Sequence, residues 1–275
     1  MKMKSNTLNV CEKNGVGYIT FPRMQKLGCV KALFSTRLGG VSTGRYSTMN
    51  LSFNNGDSRE NVLENYKRLC GTADIDVRDL VLSRQTHTDN IRVVTRSDCG
   101  TGIFKEPFND VDGLITDCRG VALATHYADC TPLLFCDTVK RVIAAAHAGW
   151  RGTAKCIGEK TVKKMTDVFG CDPSDITAAI GPCIGRCCYE VDEPVAEKFR
   201  DIPFLKTDSV LFKKENGRYM LDLVEANRQI LMHAGINECN IDASDICTCC
   251  NADELHSHRA TNGERGIMAA IIELV

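Results

Sequence analysis

No segment of this 275-residue chain approaches the roughly 20 consecutive apolar residues that cross a bilayer. The amino-terminal stretch MKMKSNTLNVCEKNG is basic but has no apolar core, so it does not read as a secretory signal. These two absences predict a cytoplasmic protein with no membrane partner. Surplus charge is missing as well. Thirty-four Lys and Arg stand against 35 Asp and Glu, a formal net charge of −1, and no global field favours nucleic acid. Only seven prolines are present, and a composition of 43% hydrophobic and 25% charged residues is that of a folded chain rather than a disordered one. Internal repeats, coiled-coil heptads and long flexible linkers are also lacking.

Cysteine, by contrast, is abundant, with sixteen residues. A chain of this length folds without covalent staples, so the thiols scattered through apolar runs, among them Cys118, Cys136 and Cys156, read as buried free thiols of a reducing compartment. Two clusters stand apart: Cys183, Cys187 and Cys188, then Cys247, Cys249 and Cys250. Six thiols suit zinc or an iron–sulfur centre. No clean pair of Cys-x-x-Cys knuckles is present, however, so a structural metal is not the expectation there.

Short apolar runs alternate with turn signals along the chain. Val30 to Thr36 fits a strand, and the following RLGGVSTG is a loop in which Arg37 can face a ligand. Ser58 caps a helix whose apolar face is Val62, Leu63, Tyr66 and Leu69, ending near Gly71. DLVLSRQTHTDNIRVVT reads as two strand pieces around a polar turn that carries His87. The block from Asn109 to Gly152 holds three apolar runs separated by Asp, Gly and Pro, the pattern of adjacent strands with polar ends. A helix is predicted over 152–170 with Ala154, Ile157, Met165 and Val168 on its buried face, then a strand in DITAAIGPCIG. VDEPVAEKFR and LDLVEANRQILMHAG have helical spacing, the second with Leu223, Ala226, Ile230 and Ala234 on one side. Strands near DICTC and GIMAAIIEL close the chain. The short intervals predict one mixed α/β domain over residues 1–275.

Three polar residues at strand boundaries carry chemistry: His87 in QTHTDN, Cys130 in YADC and His147 in AAAHAGWRG. Imidazole and thiolate together suit zinc, with a fourth position left for water. The same Cys and His types also make a nucleophilic pair, in which the imidazole generates a thiolate that attacks a carbonyl. Spacing alone does not choose between them.

RQTH, VDGLIT, HYADCTPLLFCD, AAAHAGWRG and IGPCIGRCCYEV strongly resemble the purine nucleoside phosphorylase family of YfiH type, historically called multicopper polyphenol oxidase or laccase-domain proteins. The likeness runs from FSTRLGGVS near residue 34 to the carboxy-terminal strand. It implies a compact α/β sandwich, similar to the catalytic domain of cytotoxic necrotizing factor toxins. It also implies that His87, Cys130 and His147 bind Zn2+ as the active centre, and that adenosine, inosine, guanosine and methylthioadenosine are cleaved by phosphate, with adenosine deaminated as well. The copper and phenol oxidation of the older name fit poorly, because several coppers need many histidines and this chain has six.

On that resemblance, Asp129 and Asp112 are candidate acids or bases for deamination, with turn stabilisation as their alternative. For phosphorolysis, Gly149 and Arg151 precede a predicted helix whose free N–H groups and guanidinium can hold phosphate, and Arg37 supplies a second contact. HAGWRG is not a P-loop, lacking its glycine spacing and Lys-Ser or Lys-Thr ending. His126 can touch purine or orient the metal ligands, and Tyr127 and Trp150 can stack on purine or fill the core. LHSHRATNGERG departs from the aromatic-rich FSYRRDG-like segment of the family, so rim contacts and substrate preference are not carried over. The competing readings are a cysteine hydrolase built on Cys130 and a non-enzymatic purine-binding protein. No obligate protein partner is expected.

Overall fold

The computed structural model describes residues 1–275. Six helices, α1 (Pro22–Lys26), α2 (Arg59–Thr72), α3 (Trp150–Ala154), α4 (Ile157–Phe169), α5 (Glu193–Arg200) and α6 (Leu223–His233), surround three sheets. The largest sheet has the order β1 (Asn9–Lys13), β2 (Val16–Thr20), β3 (Val30–Ser35), β16 (Met268–Leu274), β8 (Ala122–Tyr127), β4 (Leu80–Arg84) and β6 (Phe108–Asn109). A second runs β15 (Ile241–Ala243), β11 (Ile176–Ile180), β9 (Thr131–Asp137), β10 (Val142–Ala148), β7 (Gly113–Thr116) and β5 (Ile91–Val93). The third is small: β12 (Glu190–Val191), β14 (Tyr219–Leu221) and β13 (Leu211–Lys213).

Period-two alternation explains how these layers stack. Leu134 and Cys136 of β9 and Ile143 and Ala145 of β10 pack against Leu123 of β8 and Ala270 and Ile272 of β16, forming the core between the two large sheets. Their chain neighbours Leu133, Phe135, Ala144 and Ala146 face the other way, onto Ile157, Val162 and Met165 of α4 and Leu231 of α6. The outer face of the first sheet, with Leu33, Ala124 and Ile271, is covered by Val62, Tyr66 and Leu69 of α2. Strands β7, β9, β10 and β11 are therefore buried along their whole length, which is why their sequences read as continuous apolar runs. The result is a mixed α/β sandwich.

Helix α2 follows its sequence signals, with the Ser58 hydroxyl accepting from Asn61 N–H. The predicted helix over 152–170 is instead two helices. Cys156, at φ 56°, breaks the chain between α3 and α4, and α4 stops at Gly170 in the left-handed region. Val168 is 52% exposed rather than buried, and Phe169 packs on the core in its place. The strand expected near DICTC lies earlier, at β15; Cys247 makes only an isolated bridge, and residues 248–254 form turns. All sixteen cysteines are free, and Cys118 and Cys156 are half-buried where Cys136 is fully buried. No helix is long and apolar enough to cross a membrane.

Two corners matter for the site. Residues 85–90 carry the chain from β4 in the first sheet to β5 in the second, and residues 128–130 carry it from β8 to β9. Turning that sharply places His87 at φ 63° and Asp129 at φ 87°, conformations that cost free energy for a residue with a Cβ.

Candidate metal centre and pocket

The two corners meet the end of β10, and there His87, Cys130 and His147 converge, with ligand atoms all within 4.8 Å of one another. Cys130 Sγ lies 3.8 Å from His87 Nε2. Burial alone would raise the Cys130 thiol, but His147 and His87 outweigh it and bring it down to about 6. Burial likewise disfavours an imidazolium at His147, yet Cys130 and Asp112 lift it to about 9. A thiol held this low beside two imidazoles is a ready ligand for a soft or borderline cation.

Asp112, at the entry to β7, organises this arrangement from behind. His147 Nδ1 stands 2.7 Å from Asp112 Oδ1. Burial opposes charge on this carboxyl, but His147 and the surrounding backbone donors hold it below the usual carboxylate value, so it only accepts and Nδ1 carries the proton. Nε2 is therefore the nitrogen left to meet a metal, once the ion displaces the proton that the imidazolium keeps there. The same carboxylate accepts the N–H groups of Thr86, His87 and Thr88 at 2.9, 3.1 and 3.0 Å, fixing the turn that presents His87. A carboxylate behind a histidine ligand sets its tautomer and orientation.

Gly149 is required by packing. A Cβ there would stand 2.9 Å from Cys130 Sγ and 3.1 Å from His87 Cδ2, although its φ of −62° suits any residue. Gly149→Ala is expected to push the three side chains apart and weaken metal binding at least about tenfold, at a cost of about 1–3 kcal/mol in stability. Competition against a chromophoric chelator reads the first effect and urea unfolding the second. Unchanged affinity would refute the packing argument.

The cluster forms part of the lining of a cavity of about 730 Å3, within the range of small-molecule sites. Of the residues expected at the site, His126, Tyr127, Asp129 and Trp150 line it. His126 Nε2 lies 2.6 Å from Tyr66 Oη, and burial together with the His147 charge lowers its pKa to about 4, so it is neutral. Tyr127 is buried; its hydroxyl donates to the Ala146 carbonyl and shares a hydrogen bond with the Thr125 hydroxyl. Asp129 is held by Thr248 Oγ1 at 2.6 Å and by Arg259 N–H at 2.7 Å, and joins the corner to the carboxy-terminal loops.

The remaining expected residues lie elsewhere. Asp112 is wholly buried with its bonds committed, so it has no access to a substrate. Arg37 donates to the Ser47 and Ala252 carbonyls, and Arg151 is exposed and stacks over Trp150; neither lines the cavity. The predicted phosphate helix shrinks to the five residues of α3. In their place the cavity takes His258, Arg259 and Arg265 from the loop that departs from the family pattern, together with Tyr189 and Gln85. Arg265 Nε is buried without a hydrogen-bond partner. Gln85 bridges both backbone polar groups of His126, at 2.7 and 3.0 Å, and ties β4 to β8 beside the cluster. The sequence signal for His258, Arg259 and Arg265 is the clustering of histidines and arginines on either side of the Asn262-Gly263 turn in LHSHRATNGERG.

A sandwich whose inter-sheet corners bring two imidazoles and a thiol to a polar cavity defines a pocket protein able to coordinate a metal ion. The family model described as multi-copper polyphenol oxidoreductase laccase matches residues 31–275. Purine nucleoside phosphorylase YlmD of Geobacillus stearothermophilus is 40% identical over 249 residues, 89% of this chain and 90% of that one. Adenosine deaminase RL5, from an unknown prokaryotic organism, is 34% identical over 245 residues, 86% of this chain and 93% of that one. The crystal structure of the Bacillus licheniformis hypothetical protein YfiH matches with a TM-score of 0.92 and 35% identity, covering 98% of this chain and all of that one. The chain belongs to the YfiH and YlmD family, the laccase-domain proteins of the older name.

Proposed function

We propose that the protein is a purine nucleoside phosphorylase acting on adenosine, inosine, guanosine and S-methyl-5′-thioadenosine, that the same pocket deaminates adenosine, and that His87, Cys130 and His147 hold Zn2+ there. The observation that carries this reading is the convergence of those three side chains on a cavity that also holds an unpaired cationic donor, Arg265 Nε. The names of the two relatives support the two activities. Residues 1–275 act in this reading as one domain, since the core between the large sheets draws on residues from Met3 to Leu274.

Two imidazoles and a thiol of lowered pKa, one imidazole backed by a buried carboxylate, fit zinc, whose binding displaces the Nε2 proton of His147. When bound, that ion supplies Lewis acidity and an open coordination position. The chain supplies the rest. Arg259 and Arg265 attract phosphate, and the unpartnered Arg265 Nε offers it a charge-assisted hydrogen bond. Trp150 and Tyr189 present aromatic surface to the purine. Asp112 and Asp129 are positioning residues, the first for both histidines and the second for the loop carrying Arg259. Phosphate, aligned by the arginines, attacks ribose C1′ as the purine leaves, giving free base and ribose 1-phosphate, or its methylthio analogue.

Arg265→Gln tests the phosphate assignment. A hydrogen bond to a charged group contributes about 1.5–3 kcal/mol, so the KM for phosphate should rise about 10- to 100-fold. Deamination of adenosine, which uses no phosphate, should keep its rate within about twofold. Equal loss of both activities, or base release indifferent to phosphate in the wild type, would count against the reading.

A cysteine hydrolase is the second reading, favoured by the lowered Cys130 thiol beside His147 and His87. It predicts an acyl-enzyme trapped on Cys130 and turnover that survives chelation. Zinc-dependent nucleoside cleavage predicts neither.

A further inference from the structure

A second group of thiols lies outside the pocket. Cys187 and Cys188 sit in the turn that follows β11, and Cys247 and Cys250 in the turn that follows β15. Because β11 and β15 are parallel neighbours, both turns leave the sheet at the same end. All four Sγ atoms lie within 4.8 Å of one another, with Cys187 and Cys188 at 3.5 and 3.4 Å from Cys250. A disulfide needs about 2.05 Å, and all four are free thiols. Sulfurs bound at about 2.3 Å to one tetrahedral ion stand about 3.8 Å apart, between the 3.4 Å contact and the 4.8 Å limit found here.

The backbone is built around these sulfurs. Gly185 N–H donates to Cys247 Sγ at 3.2 Å, an amide aimed at sulfur that favours the thiolate. A Cβ on Gly185 would come within 3.3 Å of Cys187 Sγ and 3.4 Å of Cys247 Sγ, so glycine keeps the cradle open. Cys183 and Cys247 form an isolated parallel bridge, and Thr248 N–H donates to the Cys183 carbonyl at 2.9 Å, bracing one turn on the other. Arg259 donates to the Cys188 and Glu190 carbonyls at 3.0 and 3.2 Å and places a positive charge beside the cluster. Cys187 and Cys250 are exposed, which leaves a path for an ion.

We propose that Cys187, Cys188, Cys247 and Cys250 form a structural site for a single Zn2+, distinct from the His87, Cys130 and His147 cluster, that clamps the 185–189 turn to the 247–251 turn. Four soft sulfurs select zinc or an iron–sulfur centre, and sulfurs gathered around one point suit one ion rather than a cluster that divides them among several irons. Uptake displaces the thiol protons into solvent, up to four per ion, and the resulting dianionic centre is offset by Arg259. The clamp braces the pocket wall, since Ile184, Tyr189 and Arg259 all line the cavity and Thr248 anchors Asp129 next to Cys130. This inference does not depend on the phosphorylase reading.

The test counts metal. Full-length protein is purified without oxygen under reducing conditions, stripped with chelator, reloaded with excess Zn2+, desalted and measured by inductively coupled plasma mass spectrometry. Wild type should hold two zinc ions per chain, Cys130→Ala one, Cys250→Ser one, and Cys249→Ser, which alters a neighbouring thiol, two. Cobalt reloading adds a readout independent of activity: intense sulfur-to-cobalt charge-transfer absorption should persist in Cys130→Ala and largely vanish in Cys250→Ser. If Cys250→Ser does not fold, the retained zinc and cobalt spectrum of Cys130→Ala still decide the matter. Metal-free Cys130→Ala, a disulfide among the four cysteines in the anaerobic protein, or bound iron with acid-labile sulfide would overturn the proposal.

Discussion

Cys130→Ala is expected to lower kcat/KM for phosphorolysis and for deamination by at least about a thousandfold, equivalent to about 4 kcal/mol of transition-state stabilisation. Two imidazoles alone bind zinc weakly, and loss of the thiolate also removes the group that lifts His147 to about 9. Folding should survive, because Cys130 is only half-buried and lies at the edge of the core. Steady-state kinetics with metal content measured on the same samples checks both halves. An alanine variant with near wild-type turnover would remove Cys130 from the active centre, whatever its metal content.

Asp112→Asn is expected to have the second largest effect, although it touches no substrate. One carboxylate accepts four donors, His147 Nδ1 and three backbone N–H groups. An asparagine has one carbonyl oxygen, so its amide must face two of those donors in a site with no water-facing surface. Leaving buried donors unsatisfied costs about 1–3 kcal/mol each, so a total of about 2–6 kcal/mol is expected. Metal affinity should fall about 10- to 100-fold as His147 and the His87 turn lose their reference point. The carboxyl's folded pKa is depressed, so its contribution is complete above the unfolded value of 3.8 and is lost as pH falls through the lower folded value. Urea unfolding at neutral and acid pH should therefore show a gap between wild type and variant that narrows on acidification. A gap independent of pH would mean that the cost is steric rather than ionic.

Residue types were more legible in the sequence than their meeting place. His87, Cys130 and His147 stood out because each sits at the polar end of an apolar run, and the strands those runs predict are present. Their convergence depends on which sheet each strand joins. β4 and β5 look like a hairpin in sequence but belong to different sheets, and that separation makes the His87 turn a corner of the pocket. Helix breaking at Cys156 was hidden because the flanking residues keep helical spacing while one residue adopts a left-handed conformation.

The arginines show the same division. Arg37 and Arg151 lie in motif-rich segments, but the Ser47 and Ala252 carbonyls and the Trp150 ring claim their side chains, contacts that local sequence does not encode. Arg259 and Arg265 reach the pocket because the 255–267 segment folds back over it. The thiol clusters illustrate the point again. Cys247 and Cys250 have knuckle spacing, but their partners are a vicinal pair on a turn that only the β11–β15 pairing brings alongside.

The central claim is tested most directly by incubating zinc-quantified wild-type protein with adenosine, with and without phosphate, and resolving the products by chromatography. The account predicts adenine with equimolar ribose 1-phosphate only when phosphate is present, inosine in both conditions, and hypoxanthine with further ribose 1-phosphate once inosine accumulates in phosphate. A folded, zinc-loaded protein that forms none of these products, or that releases base equally well without phosphate, would contradict it.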